Sequence, residues 1–249
     1  MPRQTLYKSP HLQTEKWPPE RPQPGLLSEE SSIDVYREGC AVIGAALEQV
    51  GFKYAKSKQR CRREKDGFGC EVAFQSSHYN VSGRHVQLWM HATVSSPKLQ
   101  KWRAERLPPE LASEHVAGGM VHLLGNKFAL VQWELADPAD REKTILDSIA
   151  FIHDEVLPYF AQFADPKALI MSLAEASIPA FDLVPSVEFA YCFGSEAHAQ
   201  AVLNRFVRDR PDLHEAIASE QANPAASALL RPSGYAQQVV FLRSRHQLV

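Results

Sequence analysis

Cysteine is scarce: only Cys40, Cys61, Cys70 and Cys192 occur in 249 residues, and no two of them form a C-x-x-C pair. That excludes a dense disulfide framework and the common zinc-binding spacings, so buried thiols are the expectation. Long apolar runs are also missing. No window approaches the roughly 18 consecutive apolar residues of a membrane helix. Met1-Pro2-Arg3-Gln4-Thr5 does not begin a basic-then-apolar signal pattern, so a cytoplasmic protein away from the membrane is expected. Motifs that bind cofactors are absent as well. No G-x-G-x-x-G follows a strand pattern and no G-x-x-x-x-G-K-[ST] occurs, so no backbone cradle for a dinucleotide or nucleoside triphosphate is legible. Neither a G-x-S-x-G elbow nor an H-E-x-x-H helix is present. The expectation is therefore no cofactor, no metal and no assignable catalytic residue.

What is present is enough apolar material, 45% of residues, to bury a sizeable core. The net charge of −2 conceals a segregation: Gly51 to Arg106 holds twelve Lys and Arg against four Asp and Glu, and the rest of the chain is correspondingly acidic. Such a distribution can steer a charged partner to one side of the molecule, although solvated surface charge gives the same count. Residues 1–32 contain Pro2, Pro10, Pro18, Pro19, Pro22 and Pro24, which bar a regular helix or central strand. They read as an extended arm with Leu12, Trp17 and Leu26 available for packing, ahead of a single domain over 33–249.

Ile33, Tyr36, Cys40, Ile43, Leu47 and Val50 recur at helical spacing, which predicts an amphipathic helix capped near Ser31 or Ser32 and ended by Gly51. Short basic strands follow at Phe52–Lys56 and Gln59–Glu64, then longer strands at Cys70–Tyr79 and Val86–Val94. Alternation places Val72, Phe74, Leu88, Met90 and Ala92 on a core face. The opposite face then carries Glu71, Gln75, Ser77, Tyr79, His85, Gln87, Trp89, His91 and Thr93, a polar and aromatic surface. It is the expected binding surface unless a helix or the arm covers it. Pro97–Arg106 reads as a short basic helix. Met120–Leu124 and Phe128–Leu135 read as a second hairpin around Gly125-Asn126-Lys127. Beyond Asp137 the chain is mainly helical, with Pro158 bending or ending the segment Ala139–Phe163, and with Phe181–Phe193 compatible with strand or helix. The fold class expected is α+β: an antiparallel sheet with an N-terminal amphipathic helix packed on it over 33–135, and a helical half over 136–249.

Several constellations carry possible chemistry. His78, His85 and His91 lie near one hairpin, but His85 and His91 are about 20 Å apart along the strand at roughly 3.4 Å per residue, too far to share an ion. Cys70 with His91, or Glu71 and Glu134 with an arginine, would supply nucleophilic or acid/base groups if brought within hydrogen-bond reach. Arg60, Arg62 and Arg63 could hold an anion, with Glu71 or His91 in acid/base roles, which describes an enzyme for a phosphorylated or nucleotide substrate. The basic run over 53–65 with Tyr54, Phe68 and Trp89 nearby also fits a short RNA, while the acidic remainder disfavours a long duplex.

The order Gly51-Phe52-Lys53, an arginine-bearing strand at Arg60–Arg63, Phe74-Gln75-Ser76-Ser77 and Val86-Gln87-Leu88-Trp89 resembles a bacterial family of uncharacterised domains over Ile33 to Leu135. Gly194-Ser195-Glu196-Ala197-x-Ala199 is similar to a helix start near the end of such domains. The resemblance implies a compact α+β domain without assigned catalytic residues, of a type frequent among immunity and antitoxin proteins. The reading carried forward is a non-enzymatic protein-binding module masking a partner such as a bacterial toxin. Arg62, Gln75, Tyr79, Trp89 and His91 are its expected contacts. The phosphorylated-substrate enzyme and the RNA binder are its alternatives.

Overall fold

The computed structural model describes residues 29–124, 132–223 and 232–249. The proline-rich arm, apart from its last residues, and the turn Gly125-Asn126-Lys127 lie outside the described residues. The chain is α+β. Helix α1, Ser32–Glu48, leads into β1 (Lys53–Ala55), β2 (Arg60–Lys65), β3 (Phe68–Ser76) and β4 (Gln87–Ser95). Then come α2 (Pro97–Ala104), β5 (His115–Met120) and β6 (Trp133–Glu134). The helical half follows as α3 (Pro138–Phe151), α4 (Leu157–Ala161), α5 (Pro166–Glu175), α6 (Leu183–Phe193), α7 (Glu196–Asp209), α8 (His214–Gln221) and α9 (Tyr235–His246).

Strands β1 to β5 lie in sequence order and pair antiparallel, and β6 also pairs with β4. In the longest register Val72 faces Ala92 and Phe74 faces Met90, which puts the even-numbered apolar residues of both strands on one side. Val72, Leu88, Met90, Ala92 and Val94 are at most 1% exposed. Burial of each such side chain contributes about 1.5–3 kcal/mol for the larger ones, so this side fixes the register. α1 closes over it with Tyr36, Cys40, Ile43 and Leu47 buried, while Ile33, the first residue of the expected stripe, is exposed before the helix reaches the core. Phe68 at the start of β3 meets Phe163, Phe189 and Phe193 from the helical half, which covers the same face.

One detail departs from the sequence reading, and one open alternative is decided. Of the expected second hairpin, residues 128–131 lie outside the described residues; Met120–Leu124 does not continue as a strand, and the described end of the other segment pairs elsewhere. β5 ends at Met120, Val121–Leu123 is a 3-10 turn, and β6 pairs with β4 through Leu88 opposite Trp133. Buried Trp133 and Leu135 thus complete the sheet core, a gain that a local two-strand ribbon would not offer. Phe181–Phe193 resolves as helix α6 over Leu183–Phe193; Ser186 to Ala190 are all buried, so its pattern has no polar stripe to report a period. Upstream, residues Ile152–Val156 form a π-helical turn just before Pro158, whose missing N–H interrupts the helical ladder there.

Candidate binding face

The odd-numbered side of the sheet is built by the same alternation that builds the core. Glu71, Ala73, Trp89, His91, Thr93 and Ser95 are all half-buried and Gln75 is exposed, so among the described residues no helix covers this face. The structure places Gln75, Trp89 and His91 together. Gln75 lies opposite Trp89 in register, and His91 Nε2 and Gln75 Oε1 are 2.9 Å apart on the diagonal. The Trp89 indole Nε1 donates to Gln87 Oε1 at 3.0 Å, and Gln87 in turn donates from Nε2 to Gln132 Oε1. A flat aromatic is thus held in place by two amides, which reduces the rotamer entropy a partner would have to remove. Burial, assisted by nearby His122, lowers the His91 pKa from its ordinary value, so the ring is neutral at pH 7.

Tyr79 stands at the end of the β3–β4 hairpin, 45% exposed, with its ring against His78. The hairpin loop is tied down. Asn80 Nδ2 donates to Ser76 Oγ, Gln87 N donates to Asn80 Oδ1 at 2.8 Å, and Ser32 N donates to Ser82 Oγ. Glu134 accepts from Val86 N at 2.6 Å and pairs with His85, which joins β6 to the same loop.

Arg62 shares the face but not the cluster. It bonds Glu64 at 2.8 Å and lies 3.8 Å from Glu114, while Arg60 pairs with Glu71 at 3.0 Å. Beside them Thr93, Ser95, Glu114 and His115 complete a shallow cavity of about 270 Å³. Arg63 lies on the opposite side. Its register partner is Cys70, its Nη1 donates to the Val50 carbonyl, and its guanidinium sits 4.6 Å from the centre of the Phe52 ring. The expected trio Arg60, Arg62 and Arg63 is therefore split, because consecutive strand residues point to opposite faces. The excess of positive charge over 51–106 is divided further by Arg103, which is buried against Glu188.

The other weighed groups are dispersed. Burial pushes the Cys70 thiol up to about 11 and Cys40 and Cys61 up to about 12, so all three are protonated at neutral pH. Among the described residues no group of three or more His, Cys, Asp or Glu comes together to hold a metal ion. No described helix is long and apolar enough to cross a membrane. What the sequence did not disclose is a second concavity, of about 630 Å³, between α2, α6 and α9. Its Arg103 and Glu188 are 85 residues apart, and no local motif links such positions.

Comparison with known families bears on the part that carries the sheet. Residues 43–162 match the DUF4304 family, a domain of unknown function. The match begins at Ile43 inside α1 and ends at Gln162 after α4, so every described strand lies within the matched segment. The expectation of an uncharacterised domain family holds, with the matched stretch starting later and running further than Ile33–Leu135. No curated protein and no solved structure matches the chain. The Arg103–Glu188 pair and the contacts of Phe68 with Phe163 and Phe189 join the DUF4304 segment to the helices beyond it.

Proposed function

We propose that the chain is a non-enzymatic protein-binding module that uses the open face of its sheet to mask a partner, as an immunity or antitoxin protein masks a bacterial toxin. The single observation that carries this reading is Trp89, half-buried on a sheet face that no described helix covers and held through Gln87 and Gln132. Aromatic residues that become fully desolvated dominate binding energy, and neighbours that only exclude water complete the site. Gln75 and His91 form that surround, and Tyr79 extends the surface at the hairpin end. Arg62 serves the rim, where its pairing with Glu64 leaves it a role in orientation more than in affinity.

The alternatives draw less support. Arg60 and Arg62 are already paired with carboxylates and Arg63 faces the other way, so an anionic substrate or an RNA backbone would have to displace Glu71 and Glu64. Affinity isolation from the host lysate tests the proposal, with wild type and Trp89→Ala used side by side and bound protein and nucleic acid both identified. The expected result is one protein in stoichiometric amount on wild type and its loss from the variant. Recovery only of RNA that salt removes favours the RNA binder.

A further inference from the structure

The concavity between α2, α6 and α9 lies away from Trp89 and has the make-up of a ligand site. Its volume of about 630 Å³ falls within the range of small-molecule pockets, and Leu107, Leu111, Val184 and Phe241 give it apolar walls. Its polar lining is unbalanced. Arg103 is 4% exposed and already committed: Nε and Nη2 contact Glu188 Oε2, each at 2.7 Å, and Nη1 donates to the carbonyls of Ser113 and His115 at 2.7 and 2.6 Å. Little of its five-donor capacity is left for an incoming anion.

Glu188 is in the opposite situation. It lines the pocket at 2% exposure, and its second oxygen, Oε1, accepts no hydrogen bond from the described residues. His246 Nε2 lies 3.6 Å from it, beyond hydrogen-bond reach, and makes no hydrogen bond to a described residue. A carboxylate oxygen that no protein donor satisfies is open to a donor that a ligand brings. Asp182, exposed at the head of α6, adds a second carboxylate to the same lining. Two carboxylates against one committed guanidinium favour a ligand that donates.

We propose that this cleft binds a small ligand with an apolar body and a protonated amine, the amine meeting Glu188 Oε1 and Asp182. The inference does not depend on the masking function.

Tryptamine and indole-3-acetate are suitable probes, because they share a ring and differ in the charge they bring. Calorimetric titration of the full chain is expected to show tryptamine binding at one site per molecule. Indole-3-acetate should bind at least about tenfold more weakly, as expected for reversal of a charge at a partly desolvated site. Asp182→Asn, a change at an exposed position, should weaken tryptamine about fivefold with no change in thermal midpoint. Leu111→Trp, which fills the cleft, should abolish binding in a folded protein. Equal or tighter binding of indole-3-acetate, tryptamine binding indifferent to both variants, or no tryptamine binding at millimolar concentration would each overturn the proposal.

Discussion

Arg103 on α2 and Glu188 on α6 meet at 2.7 Å with side chains 5% and 3% exposed, so an ion pair joins the sheet-bearing segment to the helical half. Removing one partner strands the other charge. Arg103→Ala and Glu188→Ala should each lower stability by about 3–5 kcal/mol, while a well-packed Arg103→Met/Glu188→Leu pair should recover most of it. Urea denaturation of the three variants decides the matter. Single variants costing less than about 1 kcal/mol would mean that water reaches the pair.

Leu88 and Trp89 are neighbours in β4 whose side chains belong to opposite faces. Leu88→Ala should cost about 2–5 kcal/mol, because Leu88 is fully buried and leaves a cavity. Trp89→Ala should cost distinctly less despite removing a larger side chain, since the indole is only partly buried and a truncation there leaves no enclosed cavity. Chemical denaturation of both variants compares the two losses, and the reverse order would place the core on the wrong side of the sheet.

Gly118 in β5 has a φ of +122°, and a Cβ there would lie 2.2 Å from the Ala92 carbonyl oxygen. The strand can approach β4 at this point only as glycine. Gly118→Ala should therefore destabilise by more than about 1 kcal/mol, read as a lower thermal midpoint, whereas Gly67→Ala, with open space around it, tests the cost of positive φ alone.

His91 and His115 both titrate below their ordinary value near 6.5, chiefly through burial, with His122 adding to the first and Arg103 to the second. A depressed histidine pKa means that the unfolded chain binds more protons than the folded one between the two values. Stability is then full above about pH 6.5 and falls as pH drops from there toward the folded values. Denaturation midpoints measured from pH 8 to 5 should decline in that window. His91→Gln/His115→Gln should flatten the decline, and an unchanged slope would assign it to other groups.

The parts of this fold legible in the sequence are those where burial is one-sided. Tyr36, Cys40, Ile43 and Leu47 repeat at helical spacing because one side of α1 meets the sheet, and Val72, Phe74, Leu88 and Met90 alternate because one side of β3 and β4 meets the helices. Where burial is all-round or partners are remote, the signal fades. Helix α6 is buried on most sides and showed no clear period, and Trp133 gave no hint that it would pair with Leu88 rather than with the preceding strand. The candidate contacts Gln75, Trp89 and His91 follow from alternation alone. Alternation also separates Arg63 from Arg60 and Arg62, and the reading of those three as one anion site overlooked it. The cleft beside Glu188 depends on elements far apart in the chain, which no local spacing encodes.

The open face is tested most directly by hydroxyl-radical footprinting of the chain alone and in complex with the protein recovered from its host. The account predicts that oxidation of Trp89, Tyr79 and His91 is suppressed in the complex, while Met171 and Tyr235, exposed elsewhere, are oxidised as before. Unchanged oxidation of Trp89 and Tyr79 in a stoichiometric complex would contradict it.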